Sequence, residues 1–287
     1  MAEYIISILI SITIFGVLAL SLDLLIGYTG LFSIAQAALF GAGAYASALA
    51  AQSLGIGFWG GIGAAMASGA LLSTLVAIPS LRVSGDYLVL ASFGVQVVLS
   101  GLFLNLDDLT GGSGGLRAIP RPEILGHLIS GGEEYLALYG TIALAVFLAL
   151  RHITRSPFGL LLQAVREDEV MLQALGKNVV AIKVKAFVLS GTIAGLAGSL
   201  YAHYFTFVSP ESFDVHVSIF VLSMVLIGGM GTLWGPVIGT AVLIALPEAL
   251  RFLPFSSSTL GPLRQIVYGM VLIGFCFARP RGLFVRS

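Results

Sequence analysis

Residues 5–26 read IISILISITIFGVLALSLDLLI, a run of 22 residues with a single charged side chain, Asp23. A transmembrane helix needs about 20 mostly apolar residues, so this run is long enough to cross a bilayer. Similar runs recur along all 287 residues, since the chain is 57% hydrophobic and only 10% charged, against roughly 25% charged residues in soluble domains. The sequence therefore predicts an all-α integral membrane protein that uses lipid as its solvent.

Nine stretches of the chain qualify, or nearly qualify, as membrane spans, and totals of eight or ten stay open. The second stretch is rich in glycine and alanine and is interrupted by Gln36, which predicts a broken helix. The seventh and eighth meet at the Gly-rich residues 228–236, which predict a tight turn or a re-entrant bend. All nine belong to one expected membrane domain, residues 1–287, and lie near 5–26, 31–52, 58–78, 87–106, 134–152, 184–204, 216–234, 236–253 and 263–279.

Small residues at a spacing of four predict where helices pack closely. Gly191-x-x-x-Gly195 and Ala194-x-x-x-Gly198 put four small residues on one side of the sixth span. In lipid such faces let two helix backbones come into contact. The main interpretation is close packing, and sliding or hinging helices are the alternative.

Two polar segments set the expected orientation. Residues 107–133 form a long aqueous loop, and residues 153–183 form a charged loop on the other side. Basic residues are enriched on the cytoplasmic side of a membrane protein. With nine spans, one side receives ten of them and the opposite side four, which predicts an outer N-terminus and a cytoplasmic C-terminus. The ten are Arg82, Arg151, Arg155, Arg166, Lys177, Lys183, Lys185, Arg279, Arg281 and Arg286; the four are Arg117, Arg121, Arg251 and Arg264.

The charged loop 153–183 predicts a short amphipathic helix between two spans. Ser156 and Pro157 are a helix-start pattern, and Gly176 is a helix stop. Asn178 is placed to cap the helix that re-enters the membrane. The consecutive acids Glu167, Asp168 and Glu169 would be repelled by anionic lipid, which favours a protein partner over the membrane surface.

No energy source is visible in the sequence. A nucleotide-binding P-loop needs Gly-x4-Gly-Lys-Ser/Thr, and the only Gly-Lys pair, Gly176-Lys177, is followed by Asn178. Ion-driven carriers usually hold ionisable residues in mid-span, whereas Asp23 and Glu248 lie near span ends. Two hypotheses remain open: a self-contained carrier or channel, and a membrane subunit driven by a separate ATPase. The single cysteine excludes an internal disulfide, and the zero net charge gives no sign of nucleic-acid binding.

The order of several short motifs resembles the LivM-type permeases of branched-chain amino acid ABC importers (the HAAT family), with urea and short-amide permeases as close relatives. The motifs run in the family's order across about the whole chain. They lie at residues 22–33, 36, 41–45, 85–87, 110–112, 156–159, 164–169, 175–178, 194–198, 209–213 and 228–236.

The resemblance implies a multi-pass permease of the bacterial or archaeal plasma (inner) membrane. It works with a second, LivH-like permease, two LivG/LivF-like ATPases and a periplasmic substrate-binding protein. ATP is used by those partners, and this chain binds no cofactor or metal and is no enzyme. The cargo implied is leucine, isoleucine and valine; urea or amides, a secondary carrier and a mere membrane anchor are the alternatives.

The resemblance also implies coupling residues, and polar residues in the first two spans are candidates for a pathway. The family's general loop pattern is Glu-Ala-Ala followed by a glycine, and this chain has Val170-Met171-Leu172 at that spacing before Gly176. Asp23, Ser33, Gln36 and Tyr45 are candidates for lining the pathway; interfacial solvation of Asp23, or pairing of loose backbone groups by the others, is the alternative. The ATPase-coupling residues expected are Ser156, Pro157, Phe158, Gly159, Arg166, Glu167, Asp168, Glu169, Gly176, Lys177 and Asn178.

Overall fold

The computed structural model describes residues 2–80, 86–124, 126–250 and 269–270. Eleven α-helices lie in this part of the chain: α1 (Ala2–Thr29), α2 (Gln36–Ser53), α3 (Phe58–Ser80), α4 (Asp86–Asn105), α5 (Asp107–Thr110), α6 (Gly132–Arg155), α7 (Pro157–Glu167), α8 (Glu169–Ala174), α9 (Val179–Phe205), α10 (Val215–Gly228) and α11 (Trp234–Leu250). Four two-residue strands, β1 (Leu116–Arg117), β2 (Glu123–Ile124), β3 (His127–Leu128) and β4 (Phe207–Val208), form two small antiparallel pairs, β1 with β4 and β2 with β3.

The prediction of a multi-pass helical membrane protein is confirmed. Among the described residues, six helical segments are long and apolar enough to cross a bilayer: Glu3–Thr29, Phe58–Ile78, Tyr87–Asn105, Gly132–Arg155, Val179–Phe205 and Pro210–Gly228.

The remaining three of the nine predicted spans are not among those six. The segment near 31–52 forms α2, which begins only at Gln36 and is rich in small residues rather than large apolar ones. The segment near 236–253 forms α11, of which only residues 234–246 have described side chains; these are apolar but too few to test a full span. The last predicted span, 263–279, and the C-terminus lie outside the described residues apart from positions 269 and 270.

The two ends of the helix bundle carry different connections. At one end, α6 passes into α7 and α8, which lead into α9; we call this the helical end. At the other end α9 passes into β4, which pairs with β1 (Leu116↔Val208) in the long loop between α4 and α6; we call this the strand end. Residues 107–131 and 156–178 therefore lie on opposite sides of the membrane-spanning body.

Helices α2, α3 and α9 pack backbone to backbone through glycines. A Cβ atom placed on Gly195 would lie 2.2 Å from the carbonyl oxygen of Ala65 in α3. One on Gly43 in α2 would lie 2.3 Å from the carbonyl oxygen of Gly195, and one on Gly191 would lie 2.5 Å from that of Gly69. No side chain larger than hydrogen fits at these positions, so the close packing predicted from the small-residue spacing is confirmed.

Helix α2 starts inside the bundle rather than at its edge. The chain leaves α1 at Thr29, and residues 30–35 are non-helical. Gln36 then lies beside Ser21 of α1 and Ser190 of α9, both well within their helices. The first backbone N–H groups of a helix have no partner within it, and lipid offers no water to replace one.

Side chains from two other helices bind the N–H groups at this buried helix start. Ser92 Oγ accepts from the N–H of Ile34 (3.0 Å), and Gln96 Oε1 accepts from that of Ala38 (2.8 Å); both belong to α4. Ser218 Oγ of α10 accepts from the N–H of Ala37 at 2.9 Å. The start of α2 is thereby fixed to α4 and α10 at once.

Candidate functional site

The connection between α6 and α9 contains two short helices where the sequence predicted one. The break is at Asp168, whose backbone is extended (φ −157°, ψ 102°). Asp168 Oδ1 accepts hydrogen bonds from the N–H groups of Val170 (2.9 Å) and Met171 (3.0 Å). An aspartate that binds backbone N–H groups in this way caps a new helix and ends the previous one. The single amphipathic helix expected over this segment is therefore wrong.

The entry to α7 is a sharp corner. Pro157 occupies the first position of α7, as predicted, and Ser156 is the residue before it. The hydroxyl of Ser156 does not cap α7; it donates back to the carbonyl oxygen of Ile153 at 2.7 Å. A Cβ on Gly159 would lie 2.2 Å from the carbonyl oxygen of Thr154. Phe158 is partly buried against the core. These neighbours of the corner hold α7 against the end of α6.

The exit from α8 follows the sequence prediction closely. Gly176 has a left-handed backbone (φ +73°), as a helix-stopping glycine should. The N–H of Lys177 donates to the carbonyl oxygen of Leu172 (3.1 Å), which closes the turn. Asn178 Oδ1 accepts from the N–H of Ala181 (3.0 Å) and so caps α9.

Arg166 joins α7 to the end of α1. Its Nη1 donates to the carbonyl oxygen of Gly27, in the last turn of α1. A helix carries partial negative charge at its C-terminal carbonyls, so an arginine is favourable here. Its side chain also fills the space beside Gly30, where α1 gives way to the non-helical residues before α2.

Asp23 joins α1 to the turn between α10 and α11. This side chain is fully buried, and its Oδ1 accepts a 2.8 Å hydrogen bond from the N–H of Gly231. Gly231 has a left-handed backbone (φ +76°), and a Cβ there would lie 3.4 Å from Nη1 of Arg166. Thus α7, the end of α1 and the α10–α11 turn meet within one cluster, which we call the junction (Asp23, Gly27, Arg166 and Gly231).

An ion pair joins α8 to α9. Lys183 Nζ lies 2.5 Å from Glu169 Oε1, with the lysine side chain 9% exposed and the glutamate 38%. Glu167 and Lys177, by contrast, are exposed. Five of the charged or polar residues predicted for the loop thus make contacts within the chain: Ser156, Arg166, Asp168, Glu169 and Asn178.

The outer surface of this connection is apolar. Leu160, Val170, Met171 and Leu175 are between 62% and 75% exposed, and we call them the apolar patch. Leu162, Val165 and Leu172 of the same two helices are buried against the bundle. The predicted site set omitted all four residues of the patch. Val170 and Met171 could have been included from the sequence, because they lie where the family's loop pattern has Glu-Ala-Ala.

The four pathway candidates are buried, but the structure does not bring them together. Asp23 is in the junction, and Gln36 Nε2 donates to Ser21 Oγ at the start of α2. Ser33 Oγ accepts from the N–H of Ala35 (3.3 Å). Tyr45 packs its ring against Phe103 and Phe213, with ring centroids 5.0 and 5.9 Å away. A role in lining the pathway stays a prediction for all four.

Comparison with known proteins gives a family match over most of the chain. Residues 4–276 match the family model described as the permease component of branched-chain amino acid transport systems. The high-affinity branched-chain amino acid transport system permease protein LivM of Salmonella typhimurium is 34% identical over 294 residues, covering 94% of this chain and 67% of LivM. The probable LivM of Methanocaldococcus jannaschii is 26% identical, covering 75% of this chain and 64% of its own length.

A second kind of permease also matches. LivH of the Escherichia coli high-affinity branched-chain amino acid transport system is 23% identical over 95% of this chain and 91% of LivH. No solved structure matches the chain significantly.

Proposed function

Because this chain belongs to the family of permease components of branched-chain amino acid transport systems, we propose that it carries leucine, isoleucine and valine across the membrane as one half of an importer. It is a membrane-spanning transport subunit of the ABC type and not an enzyme. The structural observation that supports the proposal best is the apolar patch, because four large apolar side chains exposed together at the end of the bundle mark an interaction site.

The partners follow from the family. A LivH-like second permease completes the membrane part, two LivG/LivF-like ATPases hydrolyse ATP, and a periplasmic binding protein delivers the substrate. The lipid bilayer surrounds the chain, and no nucleic acid is expected to bind it. No cofactor is bound by this chain itself, and the whole of residues 1–287 acts as one permease domain.

The orientation proposed puts the helical end in the cytoplasm of a bacterial or archaeal cell, at the plasma (inner) membrane. Six basic residues of the described part of the chain lie at that end: Arg151, Arg155, Arg166, Lys177, Lys183 and Lys185. Lys and Arg are enriched on the cytoplasmic side of membrane proteins. The C-terminus, which lies outside the described residues, would then also be cytoplasmic.

The mechanism proposed is alternating access driven from the apolar patch. The patch docks in a cleft of the ATPase, and closure of the ATPase pair moves α7 and α8. Arg166 passes this movement to α1, and the Glu169–Lys183 pair passes it to α9. Through the junction it reaches the α10–α11 turn, because Asp23 binds Gly231. Both permeases would line the passage, with Asp23, Ser33, Gln36 and Tyr45 as this chain's contribution.

The test is reconstitution of all subunits in proteoliposomes with labelled leucine outside. Uptake should need ATP and the ATPases, and excess isoleucine or valine should compete while urea should not. Uptake driven by an ion gradient with this chain alone would contradict the proposal. Competition by urea or acetamide instead of valine would keep the permease role but overturn the substrate.

A further inference from the structure

A pocket opens at the helical end between α1, α6 and the α10–α11 turn. Its volume is about 330 Å³, within the range of roughly 300–1,000 Å³ typical of small-molecule sites. Its wall includes Arg151, Arg155, Tyr28, Phe147, Gly231 and Trp234. The pocket shares Gly231 with the junction. None of its lining residues belongs to the apolar patch or to the predicted coupling and pathway residues.

The two arginines of the pocket lack a counter-charge in the described part of the chain. Arg151 and Arg155 are both exposed, and neither has an ion pair or a side-chain hydrogen bond with any residue that the structure describes. They are four residues apart on α6, so both side chains lie on the same side of the helix. Two unpaired guanidinium groups in one concave site favour an anion with several oxygen acceptors, of which a phosphate group is the best match.

Above the arginines, toward the middle of the membrane, the same stripe of α6 is apolar. Leu144 and Leu148 are 57% and 51% exposed, at the helical spacing that places them in line with Arg151 and Arg155. Trp234, 61% exposed, packs against Phe147 with ring centroids 4.9 Å apart. Tryptophan is enriched at the level of the lipid headgroups. A ligand that fits the whole surface has a phosphate at one end and hydrocarbon at the other.

We propose that this pocket binds the phosphate headgroup of an anionic phospholipid, with its acyl chains along Leu144 and Leu148. Basic pockets between membrane helices on the cytoplasmic side are suited to such headgroups. An acidic segment of a partner protein would match the two arginines but not the exposed leucines that continue their stripe. Gly231 lines the pocket and also binds Asp23 in the junction, so the lipid would contact the turn through which α1 and α10 are connected.

The chain's two tryptophans allow a direct test with the full chain in nanodiscs. Trp59→Phe leaves Trp234 as the only tryptophan, and Trp234→Phe leaves Trp59, at the strand-end start of α3, as the matched control reporter. Brominated phosphatidylglycerol and brominated phosphatidylcholine, each at the same minor mole fraction, then quench the fluorescence according to their local concentration. A surface arginine favours anionic lipid by about fivefold, so we expect at least a fivefold preference for phosphatidylglycerol at Trp234 and none at Trp59.

Three variants separate the site from general charge. Arg151→Gln with Arg155→Gln should abolish the preference, and Arg151→Lys with Arg155→Lys should keep most of it. Lys185→Gln removes an exposed charge from the helical end outside the pocket and should leave the preference unchanged. Equal quenching by the two lipids in the parent chain, or an equal loss in Lys185→Gln, would overturn the proposal.

The same measurement distinguishes the other occupants. Millimolar inorganic phosphate should not reduce the quenching, and displacement by it would assign the anion site to free phosphate instead of lipid. Loss of the preference when purified ATPase subunits are added would assign the pocket to a protein partner. Both of these results would overturn the lipid assignment without bearing on transport of amino acids.

Discussion

The three-helix core of α2, α3 and α9 and the α7–α8 connection are held in opposite ways. In the core, backbones touch through glycines, and a single methyl group would meet a carbonyl oxygen at little more than 2 Å. The connection is held to the bundle by a few buried apolar side chains and by the polar contacts of Arg166 and Glu169, and it exposes large apolar side chains on its outer surface. The difference separates a part that has no room to adjust from the part that we propose meets the ATPase and moves.

Gly195→Leu is the strongest way to break the core. The new side chain would enter space occupied by the backbone of α3, and we expect a destabilisation of about 3 kcal/mol or more. Thermal unfolding in detergent measures it. Gly63→Leu in α3 is the matched control, because nothing lies within 4 Å of a Cβ at that glycine. Similar melting temperatures for the two variants would contradict the rigid-core interpretation.

Met171→Asp tests the exposed side of the comparison. The side chain is 62% exposed, so the variant should keep the stability of the fold. A charge placed in a docking contact should weaken ATPase binding by about 2 kcal/mol or more, which is roughly a thirtyfold loss of affinity. Binding of purified ATPase to the chain in nanodiscs measures this. Met171→Leu should bind normally, and wild-type affinity in Met171→Asp would remove the patch from the interface.

Arg166→Gln should separate docking from transmission. The arginine contacts α1 rather than the patch, so ATPase binding should persist. Loss of a hydrogen bond from a charged donor costs about 1.5–3 kcal/mol, so we expect about a tenfold lower ratio of leucine imported to ATP hydrolysed. Lys185→Gln, which removes an exposed charge from α9 outside the predicted coupling residues, is the control. An unchanged ratio in Arg166→Gln would show that α1 is driven by another contact.

Glu169→Gln should have the smallest effect. Its ion pair with Lys183 is half exposed on the glutamate side, and we expect about 1 kcal/mol of lost stability. A double-mutant cycle with Lys183→Gln measures the pair directly. A coupling energy near zero would mean that α8 is attached to α9 by its covalent link and packing alone.

Local chemistry was the part of this structure that the sequence predicted well. Pro157 at a helix start, Gly176 at a helix stop and Asn178 as a cap all depend on neighbours within a few residues. Asp168 as a cap was missed, although its side chain binds N–H groups only two and three positions ahead. It was instead interpreted as part of an acidic cluster, because three consecutive acids suggested a charged surface.

Long-range contacts could not be predicted from one sequence. The hydrogen bond from Arg166 to Gly27 joins positions 139 apart, and that from Gly231 to Asp23 joins positions 208 apart. Hydropathy likewise could not show that α2 starts inside the bundle, because its small residues are buried by protein rather than by lipid. In the described parts of the chain six of the nine expected spans are long, apolar helices, α2 is set apart by its small residues, and the last two expected spans extend beyond the residues whose side chains are described.

The buried start of α2 limits how the bundle can open. Its N–H groups depend on Ser92 and Gln96 of α4 and on Ser218 of α10. Pulling either helix away would leave those groups bare in hydrocarbon, at several kcal/mol each. Any cycle between outward-open and inward-open forms is therefore expected to carry α4 and α10 together with α2, and with α3 and α9, which pack on α2 through glycines.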